Sequence, residues 1–392
     1  VTVAGSGSVE ATGVTGGQAD ILGDAVVLSD TARVDVSGTQ GGGTIRIGGD
    51  TQGKGTDVQN ALTTTVGGDV VLKADALTQG KGGKVVVWAD EATHMNGSIS
   101  ARGGSESGDG GFVETSGGTI DFSGARVDAS ATRGQAGSWL IDPDSLSIDS
   151  AGASVLATAL DNGTSGTNVH LYNNTSAYGS VTGDGQGRIS VSSPVTWTKA
   201  SELWLDATTS ISINASISNS NTASRLRLDA GAGGISQSSS TIGVANLLVK
   251  SGGLVSLSSL SVDTLAGTVN GSLGSFVNTK ALRIGSYMPT DSATEISGMT
   301  TVGALSIDTG MNGLTIDRPL VSGTAVSLNA GQLTNNSTVR SLSGFISIAA
   351  DKLDLNAPGD GSPSVDAGSG GVVTIIPRTT SQTVELGGAS KN

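Results

Sequence analysis

Cysteine is absent from the 392 residues, which excludes disulfides, thiolate metal sites and thiol nucleophiles together. Aromatic residues make up only 3% of the chain, so a conventional core built on large rings is excluded as well. Basic side chains are outnumbered 21 to 34, and a net charge of −13 leaves no basic face for nucleic acid or an anionic membrane. No apolar run approaches the ~20 residues that a membrane span requires, so membrane insertion is not expected. No charged-then-apolar leader opens the chain, and Val1 already stands in a strand-like pattern; the sequence reads as a stretch of something longer.

What is present is glycine, at 61 positions, with abundant Ser, Thr, Ala and Val and only 7 prolines, a composition suited to many short strands and tight turns. Beats of aliphatic, polar, aliphatic recur: Leu203-Trp204-Leu205, Leu226-Arg227-Leu228, Leu305-Ser306-Ile307, Leu314-Thr315-Ile316, Val326-Ser327-Leu328, Ile346-Ser347-Ile348 and Leu353-Asp354-Leu355. Each reads as a short strand with two side chains inward and one outward. Leu305 and Val326 lie 21 residues apart and Val326 and Ile346 lie 20 apart, the length of one turn of a three-sided parallel coil. The earlier region spaces its beats more widely, with Val85, Phe112 and Trp139 at intervals of 27 and glycine pairs between them. A repeated glycine pair marks a repeated corner.

The expected fold is all-β, a parallel β-helix (solenoid) of about 20-27 residues per rung, continuous through three stretches. Residues 1-150 carry the long glycine-rich rungs, 151-200 an excursion near 153-187, and 201-392 shorter, degenerate rungs. Within the excursion, Val155, Leu156, Ala159 and Leu160 fall on one helical face, with Ser154 as N-cap and Gly163 as the stop. The stretch from His170 to Gly187 has no period and reads as an exposed loop.

Several segments resemble the passenger region of two-partner-secretion exoproteins, the filamentous haemagglutinin family of TpsA-type adhesins, downstream of its secretion domain. They are Ile21-Leu22-Gly23-Asp24, Ala32 to Gly38, Gly43 to Gly55, Gly82 to Asp90, Ile99 to Gly104, Gly110 to Gly117 and Trp139 to Pro143. Together they span residues 16 to 143. The resemblance implies a right-handed β-helix that is exported through the periplasm and across the outer membrane by a dedicated pore partner. It further implies display at the bacterial surface or release from it. The family's secretion domain carries Asn-Pro-Asn motifs and none occurs here, so the contact with the pore belongs to a domain outside this stretch.

Parallel β-helices include polysaccharide lyases and hydrolases, which require convergent carboxylates on neighbouring rungs. The best cluster, Asp142-Pro143-Asp144 with Asp149, sits where turns favour aspartate for backbone hydrogen bonding, and it is read as a turn. His94 and His170 stand in no metal or triad spacing, and Gly108-Asp109-Gly110-Gly111 is a single corner rather than a calcium-binding repeat. No catalytic residue, metal site or cofactor is therefore assigned. Candidate ligand contacts are Tyr172 and Tyr178 in the irregular loop and Trp197 and Trp204 beside it, since exposed rings give flat platforms for sugars. Trp88 and Trp139 close aliphatic beats and are assigned to packing. Candidate glycosylation acceptors are Asn96, Asn162, Asn173, Asn174, Asn214, Asn270, Asn335 and Asn336, residues that also suit stacked-turn ladders.

These features point to a monomeric structural shaft and adhesive surface of a secreted adhesin that attaches to polysaccharide, biofilm matrix or host glycan. A haemophore-type or host-protein-capturing exoprotein, the stalk of a contact-dependent toxin and a polysaccharide-active enzyme remain as alternatives, the last the least favoured.

Overall fold

The computed structural model describes residues 1–144, 146–173, 187–356, 358–359, 361–379 and 381. The chain is almost entirely β, with parallel strands and a single α-helix among the described residues. It divides into two compact units, Val1–Arg227 and Leu228–Asn392.

In the first unit, alternation within each strand dictates the packing. Ala19, Ile45, Val85, Val113, Trp139, Val169 and Leu203 stand in parallel register on successive strands, and all are buried. Two positions further along each strand, Ile21, Ile47, Val87, Thr115, Ile141, Leu171 and Leu205 form a second buried column. Thr115 is the polar member, and its hydroxyl accepts the indole N–H of Trp139 at 2.9 Å. Each fully buried Val, Leu or Ile contributes about 1.5–3 kcal/mol relative to exposure, so repetition replaces bulk as the source of stability.

The observed register corrects the expected one at a single place. Val85 pairs with Val113, not Phe112, and Val113 with Trp139; Phe112 faces out beside Lys84. The two intervals are therefore unequal, the step from Val85 to Val113 being longer than the step from Val113 to Trp139.

A second sheet aligns Val9, Val34, Leu72, Ile99 and Val127. Between the sheets runs the glycine corner. The N–H groups of Gly17, Gly43, Gly83, Gly111 and Gly137 donate to the carbonyls of Ala11, Val36, Ala74, Ala101 and Ala129 at 2.7–2.9 Å. A Cβ on Gly43, Gly83 or Gly111 would stand 2.1 Å from the preceding glycine's carbonyl oxygen, so only glycine permits the approach.

The helix α1, Ser150–Asp161, packs against the last strand of this second sheet, Arg126–Asp128. It starts earlier than the sequence suggests: the Asp149 carboxylate caps it, accepting the N–H of Gly152 at 2.9 Å, while Ser154 is an exposed interior residue. Leu156, Ala159 and Leu160 are buried as expected, joined by Gly152 and Ala153, whereas Val155 is half-buried. Beyond the helix, Ser165 and Thr167 hydroxyls accept the N–H groups of Ala131 and Ala129, each at 2.9 Å. Helix and hydroxyls thus cover an edge that would otherwise present open backbone groups.

In the second unit, Leu305, Val326, Ile346 and Val373 align in parallel, as do Ile307, Leu328, Ile348 and Ile375. One departure was not legible beforehand. Ser286–Tyr287 pairs antiparallel with Ile296–Ser297, and Tyr287, 2% exposed, anchors this hairpin on Leu248 and Ala266.

Candidate functional site

Strand alternation also sets the outward columns of the first unit. Asp20, Arg46, Val86, Glu114, Leu140, His170 and Trp204 occupy one column on successive strands. Beside it, Trp88 aligns with Ser116, Ser116 with Asp142, and Tyr172 with Asp206. This face gathers the carboxylates and rings that carry chemistry, and two regions of it differ.

At the first, the segment between Gly48 and Ala61 lies over the sheet. The chain takes a much longer path from Ile47 to its partner Val87 than from Ile21 to its partner Ile47, and the surplus forms this cover. Arg46 holds it through Asp50 at 3.1 Å and Asp57 at 3.2 Å while also gripping Asp20 at 2.8 Å, and Lys84 reaches Asp50 at 2.9 Å. Burial opposes ionisation of Asp50, yet Lys84, the Thr51 N–H and Arg46 together hold its carboxyl well below the usual range. Trp88 is buried beneath the cover, 4% exposed, with its indole N–H on Asp90 at 2.8 Å.

Glu114, 0% exposed, lies under the same segment. Its Oε1 accepts the N–H of Gln52 at 2.8 Å, and its buried Oε2 has no hydrogen-bond partner. Burial pushes its pKa up to about 7 against the pull of the Gln52 N–H. The adjacent Ser116 hydroxyl also favours the anion, although it does not reach hydrogen-bond geometry.

At the second region, the His170 ring stacks on Trp204 with centroids 3.4 Å apart and planes 1° from parallel, and the Arg227 guanidinium sits 3.5 Å from the Trp204 ring centroid. His170 also meets Asp206 at 3.4 Å. Tyr172 is half-buried, with its ring centroid 5.8 Å from that of His170; burial raises its phenol pKa, and the negative charges of Asp142 and Asp206 raise it further.

The four candidate ligand-contact aromatics therefore fare differently. Trp197 is 1% exposed and offers no platform. The two faces of Trp204 are shared with His170 and Arg227, so it is a stacked element of the column rather than a bare ring. Tyr172 remains partly accessible, and Tyr178 lies outside the described residues. The expected loop from His170 to Gly187 is corrected at its start, because Asn168–Asn173 is a strand that pairs with its neighbours on both sides. Trp88 and Trp139 pack as expected, Trp139 edge-on to Phe122 at 6.0 Å.

Of the candidate carboxylates, Asp149 is the helix cap, and no group of three His, Asp or Glu side chains suited to a metal occurs among the described residues. His94 lies 3.9 Å from Asp121, whereas His170, expected to stand alone, is built into the stack. Among the sequons, Asn173 and Asn335 are buried, with their amides donated to the carbonyls of Arg188 and Ser364 at 2.8 and 2.7 Å. Asn162 is the helix C-cap and Asn96 is half-buried, while Asn214, Asn270 and Asn336 are exposed. Asn174 lies outside the described residues.

Sequence reasoning missed Glu114, the Arg46 cluster and the hairpin at 286–297. The surplus length before Val87 was the available signal for the cover. No protein-family model matches the chain, and no curated protein matches it at a significant level. Fold and face together define an almost all-β protein with parallel ladders, aliphatic columns inside and a mixed polar and aromatic column outside.

Proposed function

We propose that the parallel ladders are rungs of a right-handed β-helix and that this stretch is the structural shaft and adhesive surface of an exported bacterial adhesin. The observation that carries the reading is the pair of unbroken buried columns through seven successive strands, an arrangement suited to extension by repetition. The resemblance of residues 16 to 143 to filamentous-haemagglutinin passengers supports export through an outer-membrane pore and placement at the cell surface. Holding and binding are favoured over catalysis because several of the acidic side chains are committed to structural contacts: Asp149 caps α1, Asp20, Asp50 and Asp57 pair with Arg46, and Asp75 pairs with Arg102.

A polysaccharide, matrix component or host glycan is the proposed ligand, with Tyr172 and the neighbouring Asp142 and Asp206 as the part of the face that meets it. A half-buried phenol beside carboxylates offers an apolar surface and hydrogen-bond acceptors to a sugar. The test is binding to a panel of bacterial polysaccharides and host glycans by the wild type and by Tyr172→Ala. A glycan held by the first and released by the second supports the reading. Equal binding moves the contact off this face, and a chain that binds no panel member favours a stalk or spacer.

A further inference from the structure

We propose that residues 49–60 form a strap closed over the sheet by a protonated Glu114, and that loss of this proton loosens the strap and uncovers the Trp88 ring. The strap's backbone reaches the sheet at Gln52, a non-glycine residue in the left-handed region at φ +52°, whose N–H donates to Glu114 Oε1 at 2.8 Å. Glu114 Oε2 is buried without a partner, and the Ser116 hydroxyl, also unpartnered, lies near the carboxyl. A proton on Oε2 gives the carboxyl a donor for that hydroxyl and keeps the carbonyl-type oxygen on Gln52. An ionised Glu114 instead buries a charge beneath the strap, with the Gln52 N–H as the one donor in bonding geometry and the Ser116 hydroxyl short of it.

The surrounding charges do not relieve it. From the preceding strand Lys84 acts on Glu114, but its ammonium is held by Asp50 at 2.9 Å. Arg46, two strands away, is shared among Asp20, Asp50 and Asp57. From the following strand Asp142 repels the carboxylate. Within the cover, Asn60 binds the Gly53 carbonyl and Asp90, while Asp90 also takes the Trp88 indole N–H. Lifting the strap rehydrates Glu114 and removes Gly49 and Gly53 from the indole, against which a Cβ on either would come within 2.7 Å.

The sign follows from the two environments. The closed form holds the Glu114 proton up to about 7 and an open form near 4.5, so opening becomes more favourable as pH rises between those values and levels off above. Backbone amide exchange across 49–60, corrected for the intrinsic pH dependence of exchange, tests it on the whole chain. Protection should fall by about tenfold per pH unit from 4.5 to 7, about 300-fold in all, while peptides from Val195–Trp197 and Ser210–Ile213 stay level. Glu114→Gln should abolish the slope. A flat wild-type profile, or an equal slope in Glu114→Gln, overturns the proposal. Should that variant fail to fold, the wild type alone decides, because a slope shared by the reference peptides would mark general loosening instead of a strap.

Discussion

Replacing Ile346 with Asp tests the inside and outside assignment more severely than any other single change in the second unit. Ile346 is fully buried between Val326 and Val373, whereas Ser347, its neighbour in sequence, is half-exposed between Ser327 and Thr374. Losing the aliphatic side chain forfeits about 2–3 kcal/mol of burial. The introduced carboxyl meets no donor in an aliphatic column; even after taking up a proton it leaves a polar group unpaired, at about 1–3 kcal/mol more. The expected loss is on the order of 3–6 kcal/mol, comparable at its upper end with the whole stability of many domains. At Ser347 the same substitution points outward beside the hollow that contains Arg378 and should change stability by less than about 0.5 kcal/mol. Urea unfolding followed by circular dichroism in the far ultraviolet, read as the midpoint shift, measures both; a chain of two compact units need not unfold in one step, so the midpoint of the second unit's transition is the quantity compared. Equal losses at the two positions would refute the assignment, since a slip of one residue exchanges the faces of the strand.

Gly83→Ala should cost about 2–4 kcal/mol, because the added methyl meets the Gly43 carbonyl oxygen at 2.1 Å with backbone on both sides; Gly68→Ala, with nothing within 4 Å, is the near-neutral control in the same unfolding assay. Asp149→Ala should cost about 1 kcal/mol through loss of the α1 cap, and Ser154→Ala should cost almost nothing; similar losses would return the cap to Ser154. Arg46→Met should lower stability at neutral pH, and its deficit should shrink as the solution is acidified below the ordinary carboxylate range. Asp20 and Asp50 have carboxyls held below their ordinary value, so the stability they bring is present above it and lost on acidification. A deficit independent of pH would assign Arg46 to packing alone.

Much of the buried framework was legible because it depends on alternation and spacing. The beats at Leu305, Val326 and Ile346 land in register one above another, and the glycine pairs lie at the corner where backbones approach. The slip at Phe112 has a local cause: a large apolar residue next to Val113 competes for the inward place, and only the glycine before it, aligned on Gly83, decides. The α1 cap was misplaced because Ser154 and Asp149 are both good caps by type, and it is the burial of Gly152 and Ala153 against the sheet that extends the helix back to Asp149. Trp204 was misread for a different reason. Its stacking partners His170 and Arg227 come from the strand before and the strand after, so an aromatic in a sequence window can look free when the parallel register has covered both its faces.

The two kinds of corner explain why the spacing between paired strands differs. A glycine corner turns by bringing two backbones together, and the chain needs a glycine-rich approach on either side; the path from Ile21 to its partner Ile47 is accordingly long. In the second unit close-approach glycines such as Gly323 and Gly344 are joined at the turn by side chains. Asn278 and Asn335 are buried at strand ends and bond to the backbone through both amide atoms, and Ser322 and Ser341 place hydroxyls on the carbonyls of Ala325 and Thr324. A side chain that satisfies the corner's backbone groups removes the need for the approach segments, and Leu247 reaches its partner Leu265 by a much shorter path. The same economy implies a different sensitivity: Asn335→Asp would exchange a donor for an acceptor facing the Ser364 carbonyl and should destabilise the second unit, whereas the exposed Asn270 tolerates the change. Urea midpoints for the two variants decide it, and equal shifts would deny Asn335 its place in the corner. Corners of the first kind are therefore broken by adding a methyl group, and those held by an Asn or Ser side chain by removing a donor as well.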